Sequence, residues 1–285
     1  MDFTHYEKSG RYYAGSERKE GIRTPDGTCY MLKFQRVTEF GRRFNHVSEY
    51  LGSHIFALAG MDAQETHLGT YDDEPVVACR DFNGPTTQFV PFNGVGESTL
   101  EEDKESYQYD YADIMRMLRD NSKLTNVDET ISVFWRMYVV DALLGNFDRH
   151  GANWGFLRNA GRYSLAPVFD NGSCLFPSLV DDGEIRHVLD SQDEMLSRVY
   201  KFPTSQVRLN GRKSSYDEVI GSLSFPECNE ALCVVMDQLD LSAVHDLISD
   251  VPFASPIHKD FYHAIIDLRY RRILRRAFDH LGGSQ

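Results

Sequence analysis

The chain has 285 residues, enough for one large domain or two lobes, and its 41% hydrophobic, 26% charged and 12% aromatic content excludes a mostly disordered polymer. Thirty Lys and Arg against 43 Asp and Glu leave a net charge of −13, which argues against general nucleic-acid binding because phosphates are repelled at long range, although a local basic or metal-lined pocket can still take an anion. No stretch reaches the ~18–20 uninterrupted apolar residues of a membrane span, and MDFTHYEKSG lacks the basic-then-apolar order of a secretory signal.

In chain order, Arg11 to Ser16 and Cys29 to Phe34 flank the turn-rich TPDGT, which predicts a hairpin. FNHVSEYLGSHIFALAG places Val47, Leu51, Ile55 and Leu58 at helical spacing, with Gly60 as a stop. Two strand-like runs follow, ETHLGTY and EPVVACRDF. Residues 83–110 carry Gly84, Pro85, Pro91, Gly94 and Gly96, then GESTLEEDKES, and read as a connector with a mobile loop. From about Tyr111 the chain is expected to be helical. ADIMRMLRDN is one helix, and the apolar DETISVFWRMYVVDALLGN is a central one. NWGFLRNAGRYSLAPVFDNG is a short β section that turns at Asn159 to Gly161, and the remainder is read as helical. The expected fold is α+β and two-lobed: a β-rich nucleotide-binding lobe at 1–82, a hinge and connector at 83–110, and a helical catalytic lobe at 111–285. Cys29, Cys79, Cys174, Cys228 and Cys233 are odd in number and lack Cys-x-x-Cys spacing, so they read as reduced thiols in the core of a cytoplasmic protein.

GNFDRHGANWGF, residues 145–156, follows the long apolar helix and so is a loop on a buried support. It holds Asp148, His150 and Asn153, and beyond the expected hairpin lies Asp170 in APVFDNG. A carboxylate, an amide five residues on, a hairpin and a second carboxylate form the set that phosphoryl transfer from ATP needs. One carboxylate orients the acceptor hydroxyl and takes its proton, while the amide and the other carboxylate hold Mg²⁺. The Asp-x-x-x-x-Asn spacing equals that of the protein-kinase catalytic loop, and Asp170-Asn171-Gly172 stands where the metal-binding Asp-Phe-Gly would. Upstream, Lys33 ends the strand CYMLK and can point inward, Glu49 lies on the next helix, and AGSERKEGI at 14–22 offers a phosphate-covering turn with Arg18 and Lys19 nearby. His150 is expected to support the loop by hydrogen bonding. Residues 172–215 stand in the place of an activation segment, with Ser and Thr interspersed among basic residues and read as a solvated loop. Arg269, Arg272 and Arg276 share one helical face, read as ion-pair partners for an acidic surface.

AGSERKEGI, YMLKF, SEYLGSHIF, VVACRDF, GNFDRHGANWGF and APVFDNGSCL together resemble the HipA-like kinase family, and within it the short single-domain branch of CtkA-type bacterial Ser/Thr kinases. The resemblance implies a two-lobed kinase fold related to the phosphoinositide kinases, ATP with Mg²⁺ as cofactors, and Ser or Thr of protein as acceptor. By it Asp148 is the catalytic carboxylate, Asn153 and Asp170 are metal ligands, Lys33 binds the phosphates, Glu49 is the helix carboxylate, and Asp81 and Phe82 lie at the hinge beside adenine. Gly15 and Ser16 fall in the phosphate turn, Ser16 as the nearest counterpart of the family's serine. Against that family the chain is expected to lack the amino-terminal subdomain with which full-length HipA toxins meet a DNA-binding antitoxin, which puts an antitoxin partner in doubt. Competing readings are a small-molecule or lipid kinase with the same site, AMP transfer from it, and a non-catalytic nucleotide-binding regulator.

Overall fold

The structure is a computed structural model and describes residues 1–13, 17–39, 41–84, 86–95 and 110–282. The amino-terminal part is a five-stranded antiparallel sheet in the order β1-β2-β3-β7-β6, formed by Glu7–Lys8 (β1), Lys19–Arg23 (β2), Cys29–Phe34 (β3), Thr66–Tyr71 (β6) and Glu74–Arg80 (β7). A small ribbon of Val37–Thr38 (β4) and Gly41–Arg42 (β5) leads into helix Asn45–Leu58 (α1). Period-two alternation sorts the sheet's faces. Leu32 and Phe34 pack with Ile22, Tyr71, Val76 and Ala78 on one side. Met31 and Lys33 pair across with Cys79 and Val77 and face the other side, where Val47, Leu51 and Ile55 of α1 cover the sheet.

The hairpin expected around TPDGT is present, with a different first strand. Its arm is β2, in register Arg23↔Cys29 through Lys19↔Lys33, and not residues 11–13, while residues 14–16 of the expected arm lie outside the described residues. Thr24 to Thr28 close the turn, with the Asp26 carboxylate accepting from the Thr28 N–H at 3.1 Å, so the ladder begins directly beside it. Arg11 and Tyr13 lie outside any strand and reach across to Asp81. Residues 19–22, expected in a phosphate-covering turn, are therefore strand.

The larger part is built on helix Val127–Leu144 (α3), preceded by Tyr111–Asp120 (α2). Asn126 caps α3, and Gly145 ends it at φ +63, a conformation that favours glycine. A side chain there would also meet the Pro203 ring at 3.2 Å. Phe134, Trp135, Tyr138 and Leu143 of α3 sit in a core shared with helix Pro226–Gln238 (α7) and helix Pro256–Arg269 (α9). Thr87–Pro91 (β8), Gly155–Asn159 (β9) and Arg162–Leu165 (β10) form a three-stranded sheet in the order β10-β9-β8. The chain then runs through Asp182–Asp190 (α4), Gln192–Tyr200 (α5), Thr204–Leu209 (β11), Arg212–Ser215 (β12) and Tyr216–Ser222 (α6). Past α7 come Leu241–Asp250 (α8), then α9, which continues through a π-helical turn at Tyr270–Arg275 into Arg276–Gly282 (α10).

Two sequence expectations change here. The region after the β section is not all helix, because β11 and β12 form a hairpin at 204–215. Arg269 is not a surface ion-pair partner. It is fully buried, donates to the carbonyls of Ala142 (2.7 Å) and Arg198, and burial pulls its guanidinium down to about 10. Arg276 does pair, with Asp217 at 2.6 Å. Backbone bonds also tie the two parts together: Gln64 donates to the Val168 carbonyl, and Val168 to that of Asp62, both at 2.8 Å.

Candidate active site

The start of α1 is clamped to the end of β3. Asn45 accepts from the Arg36 N–H at 2.8 Å and donates to the Phe34 carbonyl at 3.1 Å. One helical turn later Glu49 therefore faces the strand residue Lys33, and the two form an ion pair at 2.9 Å. Lys33 also reaches the Asp170 carboxylate at 2.8 Å. The lysine is 9% exposed and Glu49 1%, whereas Asp170 keeps 38% of its side chain open. Burial alone would push the Lys33 ammonium down, but Asp170 and Glu49 overrule it and hold it well above the ordinary lysine value. Burial likewise favours a protonated Asp170, and the Lys33 charge reverses this and keeps the carboxyl low.

Close packing brings α1 to the Asp170 loop. A Cβ on Gly52 would lie 2.5 Å from Asn171 Cβ, so glycine lets the two backbones approach. Asn171 then donates its N–H to Glu49 (3.0 Å) and its amide to Ser53 (3.0 Å).

The loop after Gly145 rests on Arg149. Its buried guanidinium forms a two-pronged pair with Asp141 of α3 at 2.9 and 3.1 Å. It also donates to the carbonyl of Asn153 at 2.9 Å, to that of Phe169, and to Asn171 Oδ1 at 2.6 Å. One side chain thus fixes the catalytic-loop backbone and the Asp170 loop relative to each other. Asp141 also accepts from Asn146 at 2.8 Å, and Asn146 in turn accepts from the Asp148 N–H at 3.0 Å.

This scaffold leaves Asp148 43% exposed, and its carboxyl is raised by burial and by the nearby Asp170 charge, against the opposing pull of His150. His150 accepts from the Ala152 N–H at 3.1 Å and stands 3.8 Å from Asp148, the loop-supporting position expected of it. Asn153 donates its amide nitrogen to the Asp148 carbonyl at 2.8 Å, which leaves Oδ1 as its free coordinating atom. Asn153 and Asp170 together offer a cation hard oxygen donors, as magnesium requires. No group of three or more His, Cys, Asp or Glu suited to a metal assembles among the described residues, so phosphate and water oxygens would complete the shell.

At the hinge, Asp81 donates its N–H to the Cys29 carbonyl at 2.9 Å, while its carboxylate is taken by Arg11, Tyr13 and Asn83. Its side chain is committed, and its backbone is what it can offer a base. Phe82 packs with Phe89 and Phe169 at ring distances of 5.0–5.6 Å, an aromatic cluster that joins the hinge to the residue before Asp170. Gly15 and Ser16 lie outside the described residues.

The family model of the HipA-like C-terminal domain matches residues 11–224. The chain belongs to the HipA-like family. It is 36% identical over 284 residues to the serine/threonine-protein kinase CtkA of Helicobacter pylori, covering 96% of this chain and 86% of that protein. The crystal structure of that organism's proinflammatory kinase CtkA superposes with a TM-score of 0.90 at 33% identity, covering 100% of this chain and 99% of that one. HipA of Shewanella oneidensis, solved with HipB and operator DNA, gives a TM-score of 0.60 at 12% identity over 96% of this chain and 67% of its own, a likeness of fold alone. The expected two-lobed, kinase-like HipA fold holds. Among site residues, Lys33, Glu49 and Asp170 come together, and Asp148, His150 and Asn153 share one loop. Arg149, Asp141, Asn146 and Ser53 were given no role from the sequence, and Asn171 entered only as the residue after Asp170. Asp141, a lone carboxylate in the apolar run VVDALL, was the available signal of a buried counter-charge.

Proposed function

We propose that this HipA-like protein is an ATP- and Mg²⁺-dependent Ser/Thr protein kinase, with lobes at 1–82 and 111–285 on either side of the 83–110 connector. The observation that carries it is the Glu49–Lys33–Asp170 bridge beside the Asp148 loop. It sets a fixed cation where phosphates can lie and a metal-ligating carboxylate next to it. Asp148 positions the acceptor hydroxyl and takes its proton as the new oxygen–phosphorus bond forms and the bond to the ADP oxygen breaks. Burial raises its basicity for that task. Asn153 and Asp170 hold Mg²⁺, which when bound neutralises charge on the phosphates. Lys33 anchors those phosphates while Glu49 keeps it in place. The kinship with CtkA supports protein as the acceptor. The five free cysteines, four of them buried, fit a reducing cytoplasm.

The test pairs ATP affinity by calorimetry with transfer of γ-labelled phosphate for Asp148→Asn. Binding of ATP–Mg²⁺ should hold or tighten slightly, because one anion is gone, while transfer falls by roughly 10²–10⁴. Normal transfer would remove the mechanism. Label only on small metabolites would make the acceptor a small molecule, and label only from the α-position would mean AMP transfer.

A further inference from the structure

The loop that carries Asp148 brings no arginine or lysine of its own to the acceptor side. Arg149 turns inward and is spent on Asp141, Asn153, Phe169 and Asn171. Lys33 is held between Glu49 and Asp170. A separate element stands next to the loop. The β11–β12 hairpin is fastened to it on two sides: Gln206 donates to the carbonyl of Phe147, the residue before Asp148, and Tyr216, just after β12, donates to the carbonyl of Asn146 at 2.8 Å.

Within β12, Ser214 is buried and donates to the Val207 carbonyl at 2.9 Å. Alternation turns its neighbour Lys213 to the opposite face, where it is exposed across from Arg208. Arg212 beside it is engaged by Glu218, whereas Lys213 joins no ion pair among the described residues. With Gln206 and Tyr216 fastening the hairpin to the two carbonyls just before Asp148, Lys213 stands beside the Asp148 loop, on the acceptor side of the site.

We propose that Lys213 is a specificity residue of the acceptor site and selects polypeptide segments that carry Asp or Glu beside the Ser or Thr to be phosphorylated. This rests on the protein-kinase reading above. An exposed ammonium that joins no ion pair among the described residues attracts an incoming carboxylate. In a chain of net charge −13 the wider surface repels acidic segments, so a fixed local cation decides where such a segment can land.

The experiment measures kcat and KM of the parent and of Lys213→Glu on three peptides with one serine each, flanked by Asp, Ala or Arg. The parent should favour the Asp peptide over the Ala peptide by roughly two- to fivefold in KM, the range of one exposed ion pair. Lys213→Glu should reverse the order and favour the Arg peptide, a gain that mere loss of structure cannot produce. An unchanged peptide ranking in the variant overturns the proposal. So does a change that falls on ATP affinity instead of peptide KM, which would put Lys213 with the nucleotide. Failure of the parent on all three peptides while it labels other proteins also overturns it. A parent that transfers γ-phosphate to no protein at all brings down the kinase reading itself.

Discussion

Arg149 takes part in no bond-making step, yet each branch of its guanidinium is committed to the parts of the site that must not move relative to one another. Removing one member of a buried ion pair leaves the other charge stranded, so Arg149→Met should cost about 3–5 kcal/mol in urea unfolding. Replacing both partners, Asp141→Leu with Arg149→Met, should restore much of that stability, because neither charge of the pair is left stranded. Transfer should stay low in the double variant, since the carbonyls of Asn153 and Phe169 have lost their common donor. Recovery of stability and transfer together would make the pair a packing feature only. The proposed metal ligands answer to a different probe. Asn153→Ala and Asp170→Ala should both raise the Mg²⁺ needed for half-maximal transfer, and excess Mg²⁺ should rescue Asn153→Ala in part, because an amide holds a dication less strongly than a carboxylate. Unaltered Mg²⁺ dependence in both would reassign the ligands.

Helix α1 shows how one element serves site and fold at once. Its sheet-facing stripe buries Val47, Leu51 and Ile55, and Glu49, Gly52 and Ser53 meet Lys33 and the Asp170 loop. His46 on the same helix is fully buried, and neither ring nitrogen has a hydrogen-bond partner. Burial lowers its pKa to about 4, so the unfolded chain binds the proton more readily. The stability this contributes is complete above about pH 6.5 and is lost as pH falls through the folded value. Between pH 7 and pH 5 the loss is about 2 kcal/mol, and His46→Phe should flatten that part of the urea-unfolding pH profile relative to the parent. An equal slope in both proteins would assign the acid sensitivity elsewhere. The helix was legible because its apolar residues recur at helical spacing, as in α3, and Lys33 because it ends the apolar run CYML. Lys-Glu-Gly-Ile-Arg hid β2, since two charged ends and a glycine show little apolar alternation. The β11–β12 hairpin is polar on both arms, and its one signal was Asn210-Gly211, whose φ values of +52 and +76 suit a tight hairpin turn. Arg149 sits between Asp148 and His150, where a string of charges reads as a solvated loop. Its inward turn depends on Asp141, a partner on another element.

At the scale of the whole molecule, the proposed nucleotide site would meet several phosphate charges with Lys33 and Lys19, while Asp148 and Asp170 add negative charge. ATP with Mg²⁺ should therefore raise the melting temperature clearly more than ATP in EDTA. Equal shifts in a thermal titration would remove the metal from nucleotide binding. The backbone link of Gln64 and Asp62 to Val168 has a mechanical meaning here. It is one of several ties. Phe44, just before α1, donates to the Pro177 carbonyl at 2.8 Å, Asn171 donates to Glu49 and Ser53 within α1, and Arg136 donates to the Gly60 carbonyl just past its end at 2.8 Å. A helix held at its start, its middle and its end cannot tilt against the Asp170 loop, so the two carboxylates that grip Lys33 keep their spacing.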